Sequence, residues 1–265
     1  MRAKSAVVLA LCAVSFGLAA CDPQSTPATV TPTAPVTITP TGPASVTATA
    51  QPTDAQASSR FIVITQGELK DSKGALSYDI VVPGLGVEGK GVNFEAARAF
   101  NGCMNQRAND FLTQYKQAKS ITDPNKNSKV DHIGKHVLSG LLRVSVDGGG
   151  AHPSIVESTC VINADTSEAI GFADMFIDQA KGLQLLSAQA AALLPATRAG
   201  DGFNKNGITA VAANFKSWTA TPDGLRVYFD QGQVGTEAAG AIDITVPWSA
   251  LRAQLKPGLL EVLSS

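Results

Sequence analysis

The chain has 265 residues, 44% of them hydrophobic, enough for one substantial apolar core or two smaller ones. Its 21 Lys and Arg stand against 22 Asp and Glu, a formal charge of -1, which excludes a polybasic surface able to neutralise a nucleic-acid backbone. No nucleic-acid partner is expected, and the hydrophobic content excludes a wholly disordered chain.

Arg2 and Lys4 precede a nearly unbroken apolar run from Ala6 to Ala20. The run is short for a bilayer span and suits the h-region of a secretory signal peptide. It ends in Leu18-Ala19-Ala20-Cys21, which resembles the lipobox of bacterial lipoproteins. That resemblance implies removal of residues 1–20 and attachment of a diacylglycerol to the Cys21 thiol, so that a multi-chain lipid holds the protein to the membrane. Asp22 resembles the signal that retains lipoproteins at the inner membrane. The expected location is the outer face of the bacterial plasma membrane. The alternative is an ordinary signal peptide cut near Ala20, leaving Cys21 as a free thiol.

Residues 21–59 follow as a tether. Between Asp22 and Ser59 lie seven of the 14 prolines, ten threonines, no Lys or Arg, and only Asp22 and Asp54 as acids. Such a segment cannot bury enough apolar area to offset the entropy of ordering and reads as a disordered stalk. Thr29–Pro35 is echoed by Thr37–Pro43, a low-complexity repeat with no hydrophobic face to stack. In polyproline II the stalk would reach roughly 100 Å, and as a flexible coil about 35 Å.

A single α+β domain is expected over 60–265. Phe61–Thr65 and Leu76–Val82 are strand-like. Asn93 is a candidate N-cap for a helix reaching about Lys119, whose apolar stripe runs Ala97, Phe100, Met104, Ala108, Phe111, Tyr115. A polar loop follows. Val137–Asp147 and Ser154–Asn163 read as paired strands, Ala180–Leu194 as a second amphipathic helix stopped by Pro195, and Asn214–Thr221 with Leu225–Asp230 as a hairpin around Pro222-Asp223-Gly224. Ala241–Val246 and a short Trp248–Leu255 helix complete the series.

Of the four cysteines, Cys12 leaves with the signal peptide and Cys21 is the lipidation site. Cys103, on the first helix, and Cys160, on a strand packed against it, remain as one pair in an oxidising compartment and are expected to be bridged. Neither has the CxxC or histidine neighbours of a tetrahedral metal site, and no metal or cofactor is expected.

Residues 214–255, with Val144–Ser154 and Gly171–Phe176, resemble the C-terminal extracellular domain of the RsiV anti-sigma factors and a family of secreted immunogenic proteins of mycobacteria. The likeness extends over about Leu138–Leu255, and more weakly to the preceding strand and helix. It implies a compact α+β domain with a curved antiparallel sheet packed on two main helices and, by analogy, a lysozyme-binding surface. The 19 basic and 20 acidic residues of 60–265 provide no excess of negative charge for a basic muramidase, and Gly232, Thr236 and Glu237 depart from the tyrosine and proline usual in the family. Sigma-factor binding is not expected.

Four motifs bear on chemistry. Gly84–Gly89 spells GxGxxG, but Lys90, Gly91 and Val92 separate it from the helix and no acidic residue ends a second parallel strand, so dinucleotide binding is not expected. His132 and His136 have the i, i+4 spacing of zinc ligands, yet Gly134 and Lys135 argue for two solvated loop histidines. Lys116, Lys119, Lys126, Lys129 and Lys135 make one segment basic, which reads as a solvated loop, with contact to a phosphate-bearing wall polymer as the alternative. Gly148-Gly149-Gly150-Ala151-His152-Pro153 offers an oxyanion-hole reading with His152 as base, against a plain strand connection in which the glycines supply positive φ and His152 bonds the turn. GxSxG is absent and the histidine follows the glycines, which favours the turn. The candidate ligand-binding residues are accordingly Gly149, Gly150, His152 and Ser154, with no catalytic residue assigned. The expected function is a lipid-anchored envelope protein with a non-catalytic binding domain, whose partners are the membrane through its lipid and a wall polymer or protein. The alternatives are a cell-wall or lipid esterase using His152 and a lysozyme-binding sensor or decoy.

Overall fold

The computed structural model describes residues 60–72, 75–123 and 125–265. The expected signal peptide, the expected lipidation site Cys21 and the expected stalk lie outside the described residues.

Strands β1 (Arg60–Asp71) and β2 (Ser77–Glu88) form an antiparallel hairpin, with a bulge between Thr65 and Gly67. Helix α1 (Phe94–Gln114) begins where the sequence predicts: the Asn93 side chain accepts hydrogen bonds from the amides of Glu95 and Ala96, satisfying two of the helix's free donors. Its stripe Ala97, Phe100, Met104, Ala108 and Phe111 is buried, and the helix stops before Tyr115.

The polar loop expected after α1 contains two strands, β3 (Ser120–Thr122) and β4 (Lys129–Ile133). Both lie along one edge of the central strand β5 (Val137–Asp147), β3 at its C-terminal end and β4 at its N-terminal end, while β6 (Ser154–Asn163) lines the other edge. The bounds of β5 and β6 are those expected from sequence. Because β2 pairs with β3 in parallel, this sheet is mixed rather than wholly antiparallel.

A second, three-stranded antiparallel sheet stands apart from the first. It consists of β7 (Ser217–Ala220), β8 (Gly224–Phe229) and β9 (Ile242–Pro247). The short helix α2 (Phe172–Met175) and the main helix α3 (Gln179–Leu193) precede it, and α4 (Trp248–Leu251) and α5 (Leu259–Leu263) follow. The α+β class with two main helices holds, with two sheets where one curved sheet was expected. No described helix is long and apolar enough to cross a membrane.

Alternation along β5 and β6 divides the interior into two cores. Leu138, Leu142, Val144, Val156, Cys160 and Ile162 pack with Phe100 and Met104 of α1. Val137 and Val161 belong instead to the core built from α3 and the second sheet, around Phe215, Trp218 and Phe229. Gly140 lets α1 close on β5, for a Cβ there would stand 2.6 Å from the Phe100 ring and 2.7 Å from Met104 Sδ. The disulfide Cys103–Cys160 fastens α1 to β6 across this contact. Closing its 57-residue separation stabilises the fold by about 4 kcal/mol in the chain-entropy account.

Candidate functional site

The glycine segment between β5 and β6 is an exposed turn. Gly149 adopts φ +88° and donates its amide to Asp147 Oδ1 at 2.8 Å, so the side chain that ties the turn is Asp147, not His152. His152 is exposed and has no hydrogen-bond partner among the described residues; Ser154 lies in β6 opposite Val146. Gly149, Gly150, His152 and Ser154 thus share one exposed turn and the strand start after it, and among the described residues no serine–histidine–carboxylate hydrogen bonding occurs there. Gly84 and Gly86, from the GxGxxG match, sit within β2, where a Cβ on Gly84 would strike the side chains of Gln66 and Asn101. These glycines serve packing.

Of the two histidines, His136 lies in the connection between β4 and β5 as expected, whereas His132 lies in β4, and both are partly buried. His132 lies on β4 and shares a 2.7 Å hydrogen bond with the Ser265 oxygen, while His136 Nδ1 meets Asp165 Oδ2 at 2.7 Å. No group of three His, Cys, Asp or Glu side chains able to hold a metal occurs among the described residues. Beside them a cleft of about 600 Å³ is lined by Arg60, Phe61, Asn93, Ile133, Lys135 and Asp165, among others. Its polar groups are largely committed: Arg60 to Glu88, Asp165 to His136, and Asn93 to the helix cap and the Ala164 carbonyl.

The most perturbed groups lie elsewhere, in a polar seam between the sheets. Residues Ser139, Arg143, Glu157 and Thr159 occupy the faces of β5 and β6 turned away from α1. Three of them stitch to the free edge of β7: Ser139 Oγ donates to the Ala220 carbonyl and accepts from its amide, both at 3.1 Å, and Thr159 Oγ1 accepts from the Trp218 amide at 2.9 Å. Ser217 Oγ donates to the Glu157 carbonyl at 2.8 Å. Side-chain partners thereby cover an edge strand that would otherwise present unpaired backbone groups.

Charged residues fill the rest of the seam. Asp131 of β4, with a side chain 2% exposed, accepts from Thr219 Oγ1 at 2.6 Å, Tyr228 OH at 2.8 Å and Lys129 Nζ at 2.7 Å. Burial works to raise its pKa, but the three hydrogen bonds outweigh burial and hold it below the usual carboxylate range. Burial and the Asp131 charge push Tyr228 up. The guanidinium carbons of Arg143 and Arg226 stand 6.0 and 5.6 Å from the Tyr228 ring centroid. Arg226 is itself held by Asp243 at 2.8 Å.

Glu157 is the extreme case. Its side chain is fully buried, both contacting nitrogens of Arg143 approach the single oxygen Oε1, and Oε2 has no hydrogen-bond partner among the described residues. Burial pushes its carboxyl up to about 7; Arg143 pulls the other way, and the charges of Asp230 and Asp243 add to the rise. This carboxyl could exchange a proton near neutral pH. The seam's hydroxyls nevertheless bond backbone groups or Asp131 and not this carboxyl, and none of its charged pairs lines the cleft at Arg60. No catalytic site is evident among the described residues.

Sequence reasoning missed this seam because its members come from β4, β5, β6, β7, β8 and β9. One signal was available: the hairpin register places Arg143 directly opposite Glu157, an opposite-charge cross-strand pair.

Residues 173–249 match a family model described as "Protein of unknown function (DUF3298)". No curated protein matches the chain. Among solved structures, the chain is similar to a member of that family from Bacteroides fragilis, with 13% identity, a TM-score of 0.43, and coverage of 78% of this chain and 97% of that one. It is similar also to a family protein from Pseudomonas aeruginosa, with 14% identity, a TM-score of 0.45, and coverage of 76% and 95%.

Proposed function

We propose that this chain is a lipid-anchored protein of the bacterial cell envelope, held at the outer face of the plasma membrane through Cys21, whose folded part is a non-catalytic binding domain. The observation that carries the reading is the pairing of Leu18-Ala19-Ala20-Cys21 at the end of an apolar leader with a Cys103–Cys160 disulfide set into the α1-facing core. A buried structural disulfide belongs to a protein that folds in an oxidising compartment. The binding half of the proposal draws on what the domain lacks among its described residues, an assembled serine–histidine–acid or metal constellation, and on an edge and interior devoted to packing.

The test uses the full-length protein. Membrane fractions of cells producing it are compared with those producing Cys21→Ser, by detergent phase partitioning. The intact protein is expected in the detergent phase and the variant in the aqueous phase; equal partitioning of the two would refute the anchor. Detergent-solubilised protein is then offered to purified cell-wall fragments and to lysozyme. Retention on wall fragments supports a wall-binding domain, whereas retention on lysozyme alone would replace it with a muramidase-binding one.

A further inference from the structure

We propose that Glu157, buried in the seam between the two sheets and paired with Arg143 on the neighbouring strand of its own sheet, acts as a pH-sensitive latch on that seam, closed when Glu157 carries a proton and loosened when it ionises. The geometry sets this up. An ionised carboxylate needs partners on both oxygens, yet Arg143 serves only Oε1 and Oε2 is buried without a donor.

The groups facing Glu157 come from every neighbouring element. From β5, Arg143 favours ionisation. At the end of β8, Asp230 accepts the Glu157 amide on Oδ1 at 2.8 Å and holds Lys216 on Oδ2 at 2.8 Å. From β9, Asp243 is tied to Arg226. Both aspartates oppose a further negative charge. Tyr228 lies near the two arginines and donates to Asp131 on β4, which Lys129 neutralises. Of the charges in the seam, Glu157 is thus the one whose ionised form is left incompletely paired.

A proton on Oε2 removes the buried negative charge, and Arg143, whose side chain is 26% exposed, keeps its contact with solvent. When the proton leaves, relief comes from water, and water reaches Oε2 by parting β6 from β7 at the Ser217 and Trp218 stitches. The sign follows from linkage: the folded carboxyl is raised to about 7 from an ordinary value of 4.5. Its stabilisation is therefore fully present below the ordinary value and lost as pH rises through about 7. A domain facing the exterior meets such changes directly, and mild acidification would tighten the join between its sheets.

The experiment is a pair of titrations on the full-length protein in detergent. Carboxyl-labelled glutamate followed by NMR should show one resonance with a midpoint near neutrality. The thermal midpoint should fall by roughly 4–8 °C between pH 5.5 and 8.5, and Glu157→Gln should remove that fall. Titration of every glutamate in the ordinary acidic range would overturn the latch, as would a Glu157→Gln protein that keeps the wild-type dependence. If the variant does not fold, the carboxyl titration of the wild-type protein decides alone.

Discussion

Thr219 Oγ1 donates to Asp131 Oδ2 at 2.6 Å, and through that bond the middle of β7 is tied to β4, an edge strand of the other sheet. The same oxygen takes the Tyr228 hydroxyl. Asp131→Ala leaves both hydroxyls buried without their acceptor, and should cost about 2–4 kcal/mol in urea unfolding. Lys129→Ala, which removes a half-exposed partner, should cost under about 1 kcal/mol. Equal losses from the two would show that the ion pair, and not the hydroxyl bonds, holds the junction. Asp131 also sets an acid limit: its folded pKa is depressed, so its contribution is present above the ordinary carboxylate value and disappears as pH falls through the lower folded one.

The disulfide is expected to matter more than any single seam residue. Replacing Cys103 and Cys160 together by serine should cost about 2–5 kcal/mol. The wild-type protein should also migrate faster without reductant than with it. Identical mobility in both conditions would mean that the thiols are free.

The exposure of His152 gives a negative control with content. Its side chain touches no other residue's polar group among those described, so His152→Ala should leave the unfolding free energy within about 0.5 kcal/mol of wild type. Neither protein should hydrolyse short-chain p-nitrophenyl esters above background. Turnover by the wild type that vanishes in the variant would restore the esterase reading.

Elements with strong periodicity were legible without coordinates. The Asn93 cap, the α1 stripe and the bounds of β5 and β6 follow from local chemistry and alternation. β3 and β4 were not, because Ser120–Thr122 and Lys129–Ile133 are short and polar, and they become strands only through pairing with β5. The seam was hidden for a related reason. A polar position in a strand reads as solvent-facing, whereas Ser139, Glu157 and Thr159 are buried because a second sheet, more than fifty residues later in sequence, covers them. The extra donors and acceptors are tertiary facts that no local window contains.

Mass spectrometry of the mature amino terminus bears most directly on the proposed function. A terminal peptide beginning at Cys21 and carrying the mass of a diacylglyceryl group is the predicted result. A peptide that begins at Met1, or one that contains Cys21 without a lipid, would contradict it.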